Sequence, residues 1–243
     1  MKREIEIKTA DGAAKAWVFR PDGAETTRGA MFYMDGIGIR DVMFEMAQRL
    51  ADAGYVVLLP DLFYRFGAYG PFSGNAFNVE ADRNQVMTMI RGTSQAMTRS
   101  DTAAFLDALA AEGVTGPVGV TGYCMGGSRA ITALASYPDR IAAAASFHGG
   151  NLASDAADSP HRLAGDIKGR LYVGVAGVDG SFPPEQSARL AEALRVAEVD
   201  HIIENYVGMK HGWTVPDRDG VYDETGAERH WKRLLTLFEE SLG

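Results

Sequence analysis

The only cysteine in the 243 residues lies in a chemically suggestive setting: Gly122-Tyr123-Cys124-Met125-Gly126-Gly127. Pro117–Thr121 before it reads as a short apolar strand, and Ala130–Ser136 after it has helical spacing. A G-x-C-x-G turn between strand and helix is the setting of a nucleophile elbow. Small neighbours let the chain turn sharply enough to present the thiol at the C-terminal edge of a sheet. The helix N-terminus beyond favours a thiolate. The N–H of Met125 would then be one donor of an oxyanion hole. A lone cysteine is more often a small buried apolar residue; the strand–turn–helix setting favours the nucleophile.

A thiol nucleophile needs a base, usually histidine. Of the five histidines, His211 follows the last core strand, in Gly208-Met209-Lys210-His211-Gly212-Trp213, and is the predicted base. His148, in Phe147-His148-Gly149-Gly150, also ends a strand and is expected to line the cleft. His161, His201 and His230 read as surface or packing residues. The acid that orients the base should fall between nucleophile and histidine in chain order, after another strand. Asp179, at the end of Val173-Gly174-Val175-Ala176-Gly177-Val178, fits. The second oxyanion donor is expected in Asp35-Gly36-Ile37-Gly38: the N–H of Gly36, or of Ile37 if the register slips by one. Asp35 either bonds the thiol or shapes the turn, and the sequence leaves both open.

These residues need a scaffold. Glu4–Lys8 and Lys15–Arg20 alternate as an antiparallel hairpin about Asp11-Gly12. Ala30–Met34, a helix over Asp41–Ala53, and Tyr55–Leu59 form a strand–helix–strand unit of buried, parallel type. Ile141–Phe147, Leu171–Ala176 and Ile202–Val207 read as three further buried strands. Helices are predicted over Val79–Ile90, Asp101–Glu112 (capped by Ser100 or Asp101), Pro184–Ala197 and Thr225–Leu242. The fold class is therefore α/β: a mostly parallel sheet, an N-terminal antiparallel hairpin, and helices on both faces. One domain over 1–243 is expected, with 62–100 as an insertion serving as lid or substrate-binding segment.

Composition narrows the function. A net charge of −8 without any basic run argues against nucleic acid. No apolar run reaches the roughly 18 residues of a membrane span. The first residues show no apolar signal segment, and a single cysteine makes no internal disulfide. A reducing, cytoplasmic setting is the simplest expectation. No metal and no cofactor are expected. The partner is a small-molecule ester or lactone, and the assembly a monomer or homodimer.

Together with Gly54-Tyr55-Val56-Val57-Leu58-Leu59-Pro60-Asp61-Leu62, these motifs resemble the dienelactone hydrolase family over most of the chain. The resemblance implies an α/β-hydrolase fold, a Cys–His–Asp triad, and the opening of dienelactones from chlorinated-aromatic degradation. It implies a Glu that contacts the resting thiol, where this chain has Asp35. It places Arg83 against a substrate carboxylate, Met87 where the family can show a Tyr, and Val215 where a second Arg is expected, with Arg218 nearby but out of register. Tyr123 and Trp213, beside Cys124 and His211, are further candidates for contact with thiol or substrate.

Thiolate chemistry limits the substrate independently. A thiolate is itself a good leaving group, so the tetrahedral intermediate collapses backward unless the departing oxygen leaves as well or better. Enol-lactones and activated esters satisfy this; amides do not. Two other readings are a broad carboxylesterase or thioesterase on aryl or activated esters, and a non-catalytic sensor on a hydrolase fold.

Overall fold

The first two strands of the computed structural model, which describes residues 1–23 and 26–243, are β1 (Lys2–Thr9) and β2 (Gly12–Phe19). They pair antiparallel from Lys2↔Phe19 to Thr9↔Gly12, and β2 continues antiparallel onto β4 (Val56–Pro60). The remaining pairs are parallel: β3 (Gly29–Tyr33), β5 (Val118–Tyr123), β6 (Ile141–Phe147), β7 (Arg170–Val178) and β8 (His201–Lys210). The sheet order is β1-β2-β4-β3-β5-β6-β7-β8. Every residue of β3, β4 and β5 is buried, as expected for parallel strands covered on both faces.

The chain runs from β3 to β4 on one side and then returns to place β5 on the other side of β3. The strand order reverses there, and crevices at the carboxyl ends beside such a reversal are where open α/β sheets bind ligands. The loop after β3 and the turn after β5 both open into that crevice.

Helix α1 (Asp41–Asp52) buries Val42, Met43, Met46 and Leu50 against the sheet. It is tied to the last helix, α6 (Glu224–Leu242), by Arg49–Glu228. On the other face, α3 (Gln95–Ala111) packs on α4 (Met125–Ser136), with Thr132 and Ser128 of α4 bonding Gln95. Helices α2 (Glu80–Gly92) and α5 (Pro184–Val196) complete the set.

Two helix starts differ most from expectation. Helix α3 starts at Gln95, not near Asp101, because Ser94 is the cap: its backbone is extended and its hydroxyl accepts the Met97 N–H at 3.2 Å. Asp101 is instead buried inside the helix, held by Arg65 at 2.7 and 2.8 Å and by the Tyr64 hydroxyl at 3.0 Å. Segment 62–100 therefore contains the first turn of α3. Helix α4 starts at Met125 instead of Ala130, so the glycines after the thiol lie inside it. Among the described residues, no helix is long and apolar enough to cross a membrane.

Candidate active site

The turn after β5 holds Cys124 at φ 53° and ψ −115°, a strained conformation for a side-chain-bearing residue. The glycines around it are dictated by space. A Cβ on Gly122 would lie 2.0 Å from the Gly126 carbonyl oxygen, and one on Gly126 would lie 2.4 Å from that of Met34. Strand, turn and helix are pressed together, and the thiol is left partly exposed.

His211 stands immediately after β8 and Asp179 immediately after β7, parallel neighbours that bring the two together. His211 Nδ1 lies 2.6 Å from Asp179 Oδ2. Asp179 Oδ1 accepts the Ser181 N–H at 2.8 Å and its hydroxyl at 2.7 Å, which locks the carboxylate rotamer. Ser181 Oγ is also 3.2 Å from His211 Nδ1. Sequence reasoning missed Ser181; the Asp-x-Ser spacing of an Asx turn was the available signal.

The electrostatics favour charge transfer between thiol and imidazole. Burial pushes the Cys124 thiol up and Asp35 opposes ionisation, but the His211 charge, its hydrogen bond and the Gly36 N–H outweigh them, so the thiol sits below its usual range. Burial likewise works against a charged His211, yet Cys124 and Asp179 raise it well above an ordinary imidazole. Asp179 is buried, which alone would raise it; its bonds to His211 and Ser181 hold it below the usual carboxylate range. Both members of the thiol–imidazole pair move towards the thiolate–imidazolium form.

The loop after β3 faces the thiol. The Ile37 N–H is occupied, donating to Asp35 Oδ1 at 2.9 Å. The Gly36 N–H lies on the side of the thiol and helps lower it, and Met125, first residue of α4, has an N–H with no acceptor within its helix. Asp35 is buried in a bidentate pair with Arg40, both contacts at 2.8 Å. Of the two readings of Asp35, the structure shows the turn-shaping one.

His148 does not present its ring to solvent as a cleft residue would. It is buried, with φ 39°, and its Nδ1 accepts the backbone N–H of Cys124 at 3.1 Å. Its Nε2 lies 2.8 Å from the Thr214 hydroxyl, so the proton resides on Nε2. Burial, then the charge of His211, keeps this ring neutral, well below a normal histidine. Tyr123 and Trp213 are corrected in the same sense. Tyr123 is fully buried, between Phe32 and Phe147, with its hydroxyl on His230. Trp213 is fully buried against Tyr206 and His148. Strand alternation turns Tyr123 into the core, and Trp213 packs beneath the histidine loop; neither meets solvent at the crevice.

Arg83 is exposed on α2, seven residues before Ile90 and so on the same helix face, roughly 10 Å further along. Ile90 itself presses on the loop after β3, since a Cβ on Gly36 would lie 2.6 Å from its Cδ1. Arg218 lies against the backbone beside His211: its Cζ would be 3.5 Å from a Cβ on Gly212. Val215 is fully buried, leaving no room for a longer cationic side chain.

A cavity of about 1080 Å³ lies at the same sheet edge but outside the Cys124 crevice, between the start of α1, the β1–β2 edge and segment 64–73. Arg40 and Asp217 are part of its wall. Among the described residues, no three His, Cys, Asp or Glu side chains are grouped to hold a metal ion.

The chain resembles known proteins over nearly its whole length. Residues 14–242 match the profile of the Dienelactone hydrolase family. A protein of Synechocystis sp. assigned as a carboxymethylenebutenolidase is 28% identical over 214 residues, covering 84% of this chain and 82% of its own. One of Salmonella typhi with the same assignment is 25% identical over 234 residues, covering 93% and 82%. Among solved structures, a dienelactone hydrolase assigned from Klebsiella pneumoniae superposes with a TM-score of 0.85 at 21% identity, covering 99% of this chain and 98% of its own. The dienelactone hydrolase-like promiscuous phosphotriesterase P91, from metagenomic libraries, gives 0.82 at 23%, covering 100% and 99%. At these identities the superpositions show the shared α/β-hydrolase fold.

Proposed function

This chain belongs to the dienelactone hydrolase family, a family of ester hydrolases, and on that premise we propose that it opens an enol-lactone or similarly activated ester with Cys124 as nucleophile. The observation that carries the reading is a strained, partly exposed Cys124 whose thiol is lowered by His211, with His211 and Asp179 2.6 Å apart.

His211 takes the thiol proton, and Asp179 fixes its tautomer and stabilises the imidazolium. The thiolate attacks the ester carbonyl. The N–H groups of Met125 and Gly36 receive the oxyanion, each contributing about 3 kcal/mol. The C–O bond then breaks, and the leaving enolate oxygen takes the proton from His211, which is neutral again. The acyl group remains on sulfur as a thioester. Water, deprotonated by His211, attacks it; the acid leaves, and Cys124 returns as thiolate. Because the thiolate competes as leaving group, only esters whose oxygen leaves at least as readily go forward. Arg83 and Arg218, unpaired among the described residues, are the cations available to a substrate carboxylate. A reduced thiol is essential to this chemistry, so a cytoplasmic setting fits, with the protein acting on small molecules as a monomer or homodimer and without nucleic acid.

A broader aryl-esterase activity is the second reading. It is favoured by Val215, whose buried position cannot carry the second arginine that the resemblance implies. One experiment separates them: the ultraviolet loss of cis- and trans-dienelactone and p-nitrophenol release from its acetate, each with wild type and Cys124→Ala. Turnover of both substrates, lost in Cys124→Ala, supports the lactonase. Cleavage of the aryl ester alone moves the assignment to the esterase. Full activity in Cys124→Ala removes the nucleophile and the mechanism with it.

A further inference from the structure

Arg40 is an arginine with no donor left over. Its Nε donates to Asp217 Oδ2 at 2.7 Å; one terminal nitrogen donates to Asp35 Oδ1 at 2.8 Å and to the Gly38 carbonyl at 3.1 Å; the other donates to Asp35 Oδ2 at 2.8 Å and to Asp217 Oδ1 at 3.1 Å. A guanidinium has five N–H groups, and these five bonds use them all. Its side chain is only 4% exposed, so no substrate carboxylate can recruit it.

The two carboxylates come from opposite sides of the crevice. Asp35 begins the loop that carries the Gly36 N–H, and Asp217 lies six residues beyond His211 on the loop that carries the base. Asp35 is also the carboxylate that works against ionisation of the Cys124 thiol. We propose that Arg40 is a positioning residue for the Cys124 reaction: it ties the oxyanion loop to the histidine loop and cancels the charge of Asp35, so that the nucleophile is ready in the free protein and needs no group on the substrate to ready it. This rests on Cys124 being the nucleophile.

The groups around the thiol are consistent with that role. From the end of β8 comes His211, backed by Asp179 from β7. From the loop after β3 come Asp35 and the Gly36 N–H. From the end of β6 comes His148, neutral and bonded to the Cys124 N–H, with Arg218 beyond it. Among the described residues, Asp35 is the carboxylate that opposes the thiolate, and Arg40 matches it.

The test is the pH dependence of Cys124 alkylation by iodoacetamide, an uncharged reagent that reports thiolate without needing turnover. Wild type should react readily at pH 6 with no ligand present, and a carboxylate-bearing lactone analogue should not accelerate it. Acceleration by the analogue would mean that substrate does the readying, and the proposal falls. Arg40→Met should shift the midpoint upward by at least one pH unit, lowering the rate at pH 6 about tenfold. Asp35→Asn/Arg40→Met should restore the wild-type midpoint, which loss of a purely structural contact would not do. An unshifted Arg40→Met, or a double variant that stays shifted, overturns the electrostatic role. Should Arg40→Met not fold, the ligand-free wild-type rate and the double variant, whose charges are removed together, still decide. The nucleophile reading fails separately: the alkylation results could hold while Cys124→Ala still hydrolyses ester.

Discussion

Two polar networks meet beside Cys124, and they are built on opposite principles. The proposed triad of Cys124, His211 and Asp179 is left unsaturated, so that the thiol proton can pass to the ring. The clamp Asp35–Arg40–Asp217 is complete, with all five N–H groups of the guanidinium used and none able to turn to a ligand. Catalysis needs the first kind, because a group that must accept and release a proton cannot be saturated. Holding two loops in register needs the second, because a saturated buried charge has no competing arrangement.

The largest separation between the networks should come from removing the proposed nucleophile. Cys124→Ala is expected to lower kcat on an activated ester by roughly 10⁴-fold or more while leaving the urea midpoint near wild type. A loss of only a few-fold would place the chemistry elsewhere. Asp179→Asn, which keeps the shape but reverses the tautomer preference of His211, should lower kcat by on the order of 10³- to 10⁴-fold. Steady-state kinetics across pH would show whether any base recovers the activity.

The clamp should show the reverse pattern, with stability as the main readout. Arg40→Met leaves a buried carboxylate uncompensated and should cost about 3–5 kcal/mol in chemical denaturation. Asp217→Asn, at a partner that is 31% exposed, should cost no more than about 1 kcal/mol. Equal effects at the two sites would remove the distinction drawn between buried and rim charges.

Acid should loosen the whole sheet edge more gently. Burial holds His148 and His230 neutral, His230 down to about 3. The unfolded chain therefore binds more protons below about pH 6.5, and stability must fall as the pH drops from there towards 3. The slope should reach roughly 1.4 kcal/mol per pH unit for each ring. Urea midpoints at pH 7, 6, 5 and 4 measure it, and a His230→Gln variant should flatten the curve if that ring contributes. The smallest effect belongs to Ser181→Ala: the Asp179–His211 bond survives without its support, and kcat should fall by about tenfold. No change would make Ser181 a turn residue only.

Much of this was legible in the residues. The apolar runs at β3, β4 and β5 and the glycines flanking Cys124 each follow from local rules: a parallel strand is buried on both faces, and a sharp elbow admits no Cβ where backbones nearly touch. The start of α3 was misplaced because Ser94, Ser100 and Asp101 are all acceptable caps by type; only the hydroxyl that meets an N–H three residues on is the cap.

What the sequence determined by itself was the periodicity that makes the sheet and the tight turn that lifts one thiol out of it, because both depend on residues a few positions apart. What only the tertiary structure decided was the electrostatics around that thiol. Asp35 and Asp217 are 182 residues apart, and Arg40 joins them only because β3 lies beside β5 and the loops after β3 and β8 converge at the same sheet edge. The same holds for His148, which sequence places at a strand end but only the packed sheet turns inward onto the Cys124 N–H. Local spacing encodes which groups exist; whether a charge is opposed, cancelled or left free is a sum over neighbours that the chain meets only when folded.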